Sequence, residues 1–239
     1  MTKLLLGSGG LRTKQRLAAW LGELRTFLDP GAPVLFIPYA LRDQDGYEKR
    51  VADMLRPIGV RVESIHRARD PVAAVRGAKA VFVGGGNTFR LLAALYRERL
   101  LGPIRDRVRR GAAAFIGVSA GTNVACPTIM TTNDMPIVMP PSMAALGLVP
   151  FQINPHYFDG LIHYRVGRRL IPYGGETRDD RIREFHEINA IPVLGLREGA
   201  ILRIEGDRAR LLGPGGGRLF HRGRKPRDLR PGADLSRLL

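Results

Sequence analysis

A serine flanked by small residues follows the most apolar strand that the sequence predicts. The residues Gly117–Gly121 read G-V-S-A-G and continue the apolar run Ala113–Val118. The pattern G-x-S-x-G is typical of a strained turn from strand to helix, where the serine hydroxyl is exposed and the next backbone N–H faces the same point. We interpret Ser119 as a nucleophile for acyl transfer and Ala120 as the source of an oxyanion-binding amide. The alternative is a serine that only caps the following helix.

A run of glycines follows another predicted strand. The strand Lys79–Val83 is followed by Gly84–Gly86 and then by a helix. Successive backbone N–H groups at such a turn can bind an anion. A dinucleotide fingerprint would need glycine where Phe89 stands, and the lysine of a P-loop is absent. The loop therefore predicts a second oxyanion donor beside the Ala120 N–H, and the alternative is a tight turn with Asn87 or Thr88 capping the helix.

A serine nucleophile needs a general base and a group that orients the base. Among five histidines, His156 follows the predicted strand Phe151–Asn154 and is the preferred base. The other four have arginine neighbours or are expected in solvent: His66, His163, His186 and His221. Two carboxylates could orient His156. Glu198 follows the predicted strand Pro192–Leu196, which favours it, whereas Asp134 lies in a loop, where aspartate is more often a turn or cap residue.

Short apolar runs alternate with amphipathic stretches along most of the chain, which predicts an α/β fold with a doubly wound, mostly parallel sheet and helices on both faces. The predicted strands are Lys3–Gly7, Pro33–Ala40, Val60–Ile65, Lys79–Val83, Ala113–Val118, Phe151–Asn154 and Pro192–Leu196. The predicted helices lie within Gln15–Leu28, Tyr47–Leu55, Pro71–Gly77, Thr88–Tyr96 and Ile104–Gly111. We expect one domain over residues 1–239, a small antiparallel addition from a hairpin at Ala200–Leu212, and a loose Gly- and Arg-rich tail at 213–239. In doubly wound sheets, ligands bind beyond the carboxyl ends of the strands, where Ser119, His156 and Glu198 all stand.

The composition narrows the function further. The 239 residues carry a net charge of +16, with 38 Lys and Arg against 22 Asp and Glu. The arginines are scattered and no aromatic ladder interleaves with them, which argues against dedicated nucleic-acid binding and favours a field that attracts small anions. The single cysteine, Cys126, excludes an internal disulfide and a multi-cysteine zinc site. With no apolar run of about 18 residues, we expect no membrane span and a cytoplasmic location.

Five sequence blocks together resemble the peptidase E family, the aspartyl dipeptidases among the serine peptidases. The blocks are VGGGNTFRLL (Val83–Leu92), GVSAGTNVACPTI (Gly117–Ile129), TTNDMPIV (Thr131–Val138), QINPHY (Gln152–Tyr157) and GETRDDRIREF (Gly175–Phe185). The resemblance implies a fold related to class I glutamine amidotransferases and hydrolysis of dipeptides with an N-terminal aspartate. It implies neither a metal nor an organic cofactor.

The same resemblance assigns roles to residues. It puts the nucleophile on Ser119, the base on His156 and the triad acid on Glu198, although Asp134 has also been assigned to the charge relay in that family. It puts the oxyanion donors on Gly86 and Ala120. Asn87 and Arg178 are candidate substrate-binding residues. An arginine such as Arg178 could pair with the substrate's aspartate through its two-pronged guanidinium, and the alternative is a surface arginine that pairs with nearby acidic residues.

Departures from the family pattern concern substrate contacts more than the triad. Met130 stands where the family pattern has arginine, and the segment Phe158–Tyr173 carries extra residues. These differences predict a less strict preference for N-terminal aspartate. Two other functions stay open: a cyanophycinase-like peptidase that acts on aspartyl-arginine substrates, and a basic nucleic-acid-binding protein. The sequence also leaves a homodimer open.

Overall fold

The computed structural model describes residues 1–160, 162–172 and 174–239. The strands are β1 (Lys3–Gly7), β2 (Val34–Ile37), β3 (Val62–Ser64), β4 (Ala80–Val83), β5 (Ala114–Val118), β6 (Gln152–Asn154), β7 (His163–Val166), β8 (Arg169–Pro172), β9 (Val193–Leu196), β10 (Ile201–Glu205), β11 (Arg208–Leu212), β12 (Gly217–Phe220) and β13 (Arg227–Leu229). The helices are α1 (Lys14–Phe27), α2 (Gln44–Leu55), α3 (Pro71–Gly77), α4 (Thr88–Arg97), α5 (Leu101–Arg109), α6 (Ala120–Asn123) and α7 (Arg178–Ile188). The predicted elements are present with boundaries that differ by a few residues.

The main sheet has seven strands in the order β11-β10-β1-β5-β4-β2-β3. The five strands from β1 to β3 in this order run parallel. The hairpin of β10 and β11 adds two antiparallel strands beside β1. The fold class is therefore the predicted one, an α/β protein with a mostly parallel sheet and a small antiparallel addition.

Helices cover both faces of this sheet because successive side chains of each strand point to opposite faces. On one face, Leu5 and Phe82 pack against α1 and α2 through residues such as Trp20. On the other face, Leu4 and Phe115 pack against α3, α4 and α5. Strands buried on both faces read as continuous apolar runs, which is the pattern that made them predictable.

A second sheet holds β6 and β9. Its order is β13-β12-β9-β6, in which β6 and β9 run parallel and β12 and β13 are antiparallel additions. The sequence predicts β6 and β9 but gives no sign that they leave the main sheet. The tail 213–239, expected to be loose, supplies β12 and β13. The strand β12 is held in place because it pairs with β9 and buries Leu219 in the core, opposite Leu194.

The strands β7 and β8 form a separate hairpin within the extra segment 158–173, of which residues 161 and 173 lie outside the described part. Tyr164, Val166 and Leu170 on this hairpin are exposed. None of the helices in the described ranges combines the length and the apolar composition of a membrane span.

The packing of the tail leads to a stability prediction. Leu219 is 4% exposed, so Leu219→Ala should lower the free energy of unfolding by about 2–5 kcal/mol, the usual cost of a core cavity. Leu239, at 42% exposed, is the matched control, and its replacement by alanine should change stability by less than about 0.5 kcal/mol. Urea denaturation measures both. Equal small effects would mean that the tail does not pack as described.

Candidate active site

Ser119 occupies a strained turn between β5 and α6. Its φ of 56° and ψ of −111° lie in a region that residues other than glycine rarely adopt. The glycines on either side are required by space. A Cβ at Gly117 would lie 2.6 Å from the carbonyl oxygen of Gly121, and a Cβ at Gly121 would overlap the carbonyl oxygen of Val83. Small residues at both positions therefore let α6 start directly against β4, with the half-buried serine side chain lining a cavity at the turn.

The side chains of Ser119, His156 and Glu198 form one continuous line of hydrogen bonds. His156 Nε2 lies 2.7 Å from Ser119 Oγ, and His156 Nδ1 lies 2.6 Å from Glu198 Oε1. The imidazole is thus held between a hydroxyl and a carboxylate, which is the geometry of a general base with its orienting acid. All three residues follow the carboxyl ends of strands. Ser119 belongs to the main sheet, whereas His156 and Glu198 follow the neighbouring strands β6 and β9 of the second sheet.

The residues just after β1 connect the two sheets at this point. Ser8 is fully buried, and its hydroxyl donates to the carbonyl oxygen of Leu196 at 2.9 Å. The same hydroxyl accepts the backbone N–H of His156 at 2.9 Å, which fixes a residue whose own φ is 55°. The carbonyl oxygen of Gly7 accepts the N–H of Ser119 at 3.0 Å. We call residues 7–10, the last residue of β1 and the three that follow it, the junction loop; they read G-S-G-G.

The junction loop also limits the space around the histidine and the glutamate. A Cβ at Gly9 would lie 2.6 Å from His156 Cε1, and a Cβ at Gly10 would overlap Glu198 Oε2. Both glycines have positive φ values, 129° and 69°. Glu198 Oε2 is out of solvent and has no hydrogen-bond partner among the described residues. Sequence reasoning did not single out this loop, although it follows a predicted strand at the edge of the sheet where ligands bind, and that position was the available signal.

The glycine loop after β4 lies beside the nucleophile. A Cβ at Gly85 would lie 3.0 Å from Ser119 Cβ, so the loop approaches closely enough to face a substrate carbonyl bound there. Gly86 has a φ of 139°, and a Cβ on it would lie 2.6 Å from the carbonyl oxygen of Ala40. Burial raises the pKa of Tyr47, a tyrosine beside this loop, while a hydrogen bond from the Gly85 backbone opposes the shift. The backbone N–H groups of Gly86 and Ala120 have no acceptor within the described part of the chain, so both can bind an oxyanion.

Asp134 bonds to residues at the N-terminus of α4, and the described hydrogen bonds include none between it and His156. Its Oδ2 accepts the backbone N–H of Thr88 at 2.8 Å and the hydroxyl of the same residue at 2.5 Å. Asn87 caps α4 by accepting the N–H of Arg90 at 3.0 Å, and its amide donates to the carbonyl oxygen of Met135 at 2.8 Å. The two side chains thus anchor the loop that contains Met130 and Met135 against the glycine loop.

Arg178 lines a cavity of about 400 Å³ together with Asn133 and Phe158. It is half-buried at the first position of α7. Burial and the neighbouring Arg181 lower the pKa of Arg178, and the charge of Asp134 opposes the shift. Asn133 donates to the carbonyl oxygen of Pro155 at 2.7 Å, so this cavity adjoins the residue before His156.

A cluster of charged side chains holds the residues next to His156 and Glu198. Tyr157 donates its hydroxyl to Asp179 at 2.5 Å, and Arg218 pairs with the same carboxylate at 3.1 Å. The guanidinium of Arg197 lies 5.6 Å from the centre of the Tyr157 ring and donates to Asp228 at 2.6 Å. Hydrogen bonds from the two arginines lower the pKa of Asp228 to about 2. Arg218 and Asp228 come from the tail, so the tail supports the site, which the sequence did not predict.

The remaining reactive side chains lie elsewhere. His186 is 8% exposed and contacts the carbonyl oxygen of Ile191 at 3.1 Å, so the expectation that it is solvated was wrong: it closes the end of α7. Burial raises the pKa of the Cys126 thiol to about 12, which leaves it protonated and unreactive.

In the described ranges, one group of side chains has the spacing of metal ligands, formed by Asp45, Glu48 and His66. Arg67 already pairs with both of its carboxylates, at 2.7 and 2.6 Å.

A serine held by a histidine and a glutamate, on a mostly parallel sheet covered by helices, is the arrangement of a serine hydrolase. The comparisons with known proteins narrow this class. The profile of peptidase family S51 matches residues 3–212, and the chain belongs to that family.

Relatives of similar length support this assignment. The chain is 51% identical over 242 residues to "Peptidase E" of Streptomyces coelicolor, covering 100% of this chain and 95% of that protein. It is 48% identical over 238 residues to "Probable alpha-aspartyl dipeptidase" of Drosophila melanogaster, covering 99% and 96%. The resemblance drawn from the five sequence blocks is thereby confirmed.

Two solved structures share the fold. One, from Listeria monocytogenes EGD-e, has a TM-score of 0.65 at 23% identity and covers 89% of this chain and 98% of that one. The other is a peptidase from an acI-B1 Actinobacterium, with a TM-score of 0.68 at 16% identity, covering 98% and 96%.

The position of Ser8 predicts an effect on catalysis. Ser8→Ala leaves the part-buried N–H of His156 without its acceptor, which costs up to about 1–3 kcal/mol. We expect the kcat of peptide hydrolysis to fall by about tenfold or more with little change in KM, because the base would lose its fixed backbone. The exposed Ser142 is the control, and Ser142→Ala should leave kcat unchanged. Steady-state kinetics of the three proteins checks this, and an unchanged kcat in Ser8→Ala would show that His156 is held without the junction loop.

Proposed function

We propose that this chain is a serine dipeptidase that hydrolyses dipeptides with an N-terminal aspartate, through Ser119, His156 and Glu198. The observation that carries the proposal is the unbroken hydrogen-bonded line from Glu198 to His156 to Ser119. The names of the two curated relatives support the substrate class, since one is called an alpha-aspartyl dipeptidase and the other peptidase E.

The mechanism follows from the geometry. His156 Nε2 takes the proton of Ser119 Oγ as the oxygen attacks the scissile carbonyl, and Glu198 stabilises the imidazolium that forms. The amides of Gly86 and Ala120 bind the oxyanion, and each such donor contributes about 3–4 kcal/mol to lowering the barrier. His156 then gives the proton to the leaving amine. Water, activated by the same histidine, cleaves the acyl-enzyme and restores Ser119.

Arg178 is the proposed partner of the substrate's aspartate side chain. Burying that carboxylate unpaired would cost several kcal/mol, and a half-buried guanidinium offsets the cost with paired hydrogen bonds. The carboxylate of Asp134 lies close enough to Arg178 for their charges to interact, and from there it can face the substrate's ammonium group. Asn87, whose amide and carbonyl are both engaged, acts through the shape of the loop it anchors.

The arginine excess supports a small-substrate enzyme more than a nucleic-acid binder. Several arginines form intramolecular ion pairs, including Arg67, Arg197, Arg203 and Arg218. Charges committed to pairs inside the molecule contribute less to a continuous basic surface of the kind that phosphate backbones require.

Replacement of the nucleophile tests the proposal directly. The wild type should hydrolyse Asp-Leu, and Ser119→Ala should reduce kcat by at least about a thousandfold, because the remaining groups have no atom to acylate. Circular dichroism should show an unchanged fold. A variant that kept a tenth of the wild-type rate would contradict a serine mechanism.

The two carboxylates should separate kinetically. Glu198→Gln keeps the shape of the site but removes the charge beside the imidazolium, so kcat should fall by about 10²–10⁴-fold with KM little changed. Asp134→Asn disturbs the anchor at α4 and the charge that faces the substrate, so KM should rise more than kcat falls. Measuring kcat and KM for both variants on Asp-Leu decides the roles, and the reverse pattern would exchange them.

Arg178 should matter for hydrolysis of a substrate with a charged N-terminal side chain and much less for an uncharged one. For Arg178→Met, kcat/KM on Asp-Leu should fall by at least about tenfold, equivalent to some 1.4 kcal/mol, with little loss on Asn-Leu. With Met130 in place of a second arginine, the wild type should also accept Asn-Leu and Glu-Leu to a measurable extent. An equal loss on Asp-Leu and Asn-Leu would show that Arg178 shapes the loop and does not bind the carboxylate.

A further inference from the structure

A cavity of about 740 Å³ opens onto the reactive hydroxyl, separately from the cavity of Arg178. Its lining includes Ser119, His156 and Glu198, together with the glycine loop at Gly85 and Gly86. The cavity of Arg178 has none of these residues in its lining. The site therefore has two compartments, and the larger one reaches the histidine and the glutamate.

The chemistry of the proposed reaction assigns the larger compartment to the leaving residue. His156 Nε2 must donate a proton to the leaving nitrogen, so that nitrogen has to lie beside the imidazole. The aspartate side chain, in the compartment of Arg178, lies on the acyl side of the scissile bond. The second residue of the dipeptide consequently extends into the cavity lined by His156 and Glu198.

The walls of this cavity combine apolar and cationic side chains. Val51, Met54 and Phe82 offer an apolar surface to the side chain of the second residue. Arg12, Arg16 and Arg50 line the same cavity.

Arg16 lines two cavities that reach the triad. It lines the cavity of Ser119 and also an adjoining one of about 590 Å³ that contains His156 and Glu198. A Cβ at Gly10 would lie 3.0 Å from Arg16 Nη1 and would overlap Glu198 Oε2, so the two side chains approach each other over the junction loop. Arg16 is half-buried, and its Nη1 donates to the carbonyl oxygen of Gly10 at 3.5 Å.

Among the described residues, none forms an ion pair with Arg16. Within the described part of the chain, no carboxylate lies within 4.0 Å of Arg16 or Arg12, whereas Arg197 and Arg218 each pair with two or more carboxylates. Among the described residues, the ion pair of Arg50 with Asp43 is long, at 3.9 Å, and its guanidinium also lies 5.4 Å from the centre of the Tyr47 ring. A guanidinium that is half-buried beside a reactive centre, and not paired in the protein, is suited to bind a carboxylate of the substrate.

We propose that Arg16 binds the α-carboxylate of the leaving residue, with Arg12 adding to the positive field. This inference rests on the proposed dipeptidase function. In a dipeptide, the carboxylate is attached to the same carbon that bears the scissile nitrogen, so it enters the cavity with the leaving group. A longer peptide has an amide at that position. Arg16 thus restricts the enzyme to dipeptides, whereas Arg178 selects the N-terminal residue.

The test compares Asp-Leu with its C-terminal amide, Asp-Leu-NH₂, which differ in the carboxylate alone. The wild type should prefer Asp-Leu by at least about tenfold in kcat/KM. Arg16→Met should lose about tenfold or more on Asp-Leu, chiefly through KM, and less than about twofold on the amide. Arg16→Lys keeps the charge without the planar guanidinium, so its kcat/KM on Asp-Leu should lie between those of the wild type and Arg16→Met.

Arg25→Met is the matched control, because Arg25 is exposed near the end of the same helix and its loss changes the net charge equally. It should behave as the wild type on both substrates. An equal loss on both substrates in Arg16→Met would overturn the inference and show that Arg16 supports Glu198. A wild type that hydrolysed both substrates equally well would refute the carboxylate site and leave the proposed function intact. A wild type that hydrolysed neither would refute the proposed function itself.

Discussion

The site depends on one constraint: a single imidazole must reach a hydroxyl from one sheet and a carboxylate from another. Ser119 follows β5 of the main sheet, whereas His156 and Glu198 follow strands of the second sheet. Hydrogen bonds of about 2.6–2.7 Å tolerate only small shifts of one sheet relative to the other. The junction loop supplies the fixed point, because Ser8 binds both His156 and the end of β9, and Gly9 accepts the N–H of Gly199 at 3.1 Å.

The second sheet in turn depends on the tail. The strand β12 pairs with β9 and buries apolar side chains beside it. Arg218 binds Asp179, which accepts the hydroxyl of Tyr157, and Asp228 binds Arg197. Tyr157 follows His156 in the chain, and Arg197 precedes Glu198. A loose tail would leave β9 with an open edge and Arg197 with fewer partners. Part of the arginine excess therefore has a structural explanation in this charged cluster.

The elements with strong local signals were predictable from the sequence. Apolar strands bounded by glycine gave the parallel sheet, and the strand-end rule placed Ser119, His156 and Glu198 at one edge. The division into two sheets was not predictable, because register and sheet membership depend on pairing between distant residues such as Leu194 and Leu219. The tail strands were not predicted for the same reason: they form by pairing with distant residues, and their glycine- and arginine-rich sequence is typical of a loop. The junction loop was missed because Gly7–Gly10 carries no reactive group apart from a serine hydroxyl that is buried.

The most direct measurement is the capture of the covalent intermediate. With the 4-nitrophenyl ester of aspartate, acylation is faster than with an amide, so the acyl-enzyme should accumulate and survive an acid quench. Mass spectrometry of the quenched protein should show an aspartyl adduct on the peptide that contains Ser119, and none in Ser119→Ala. An adduct on another side chain during turnover, or the same adduct in Ser119→Ala, would contradict the account.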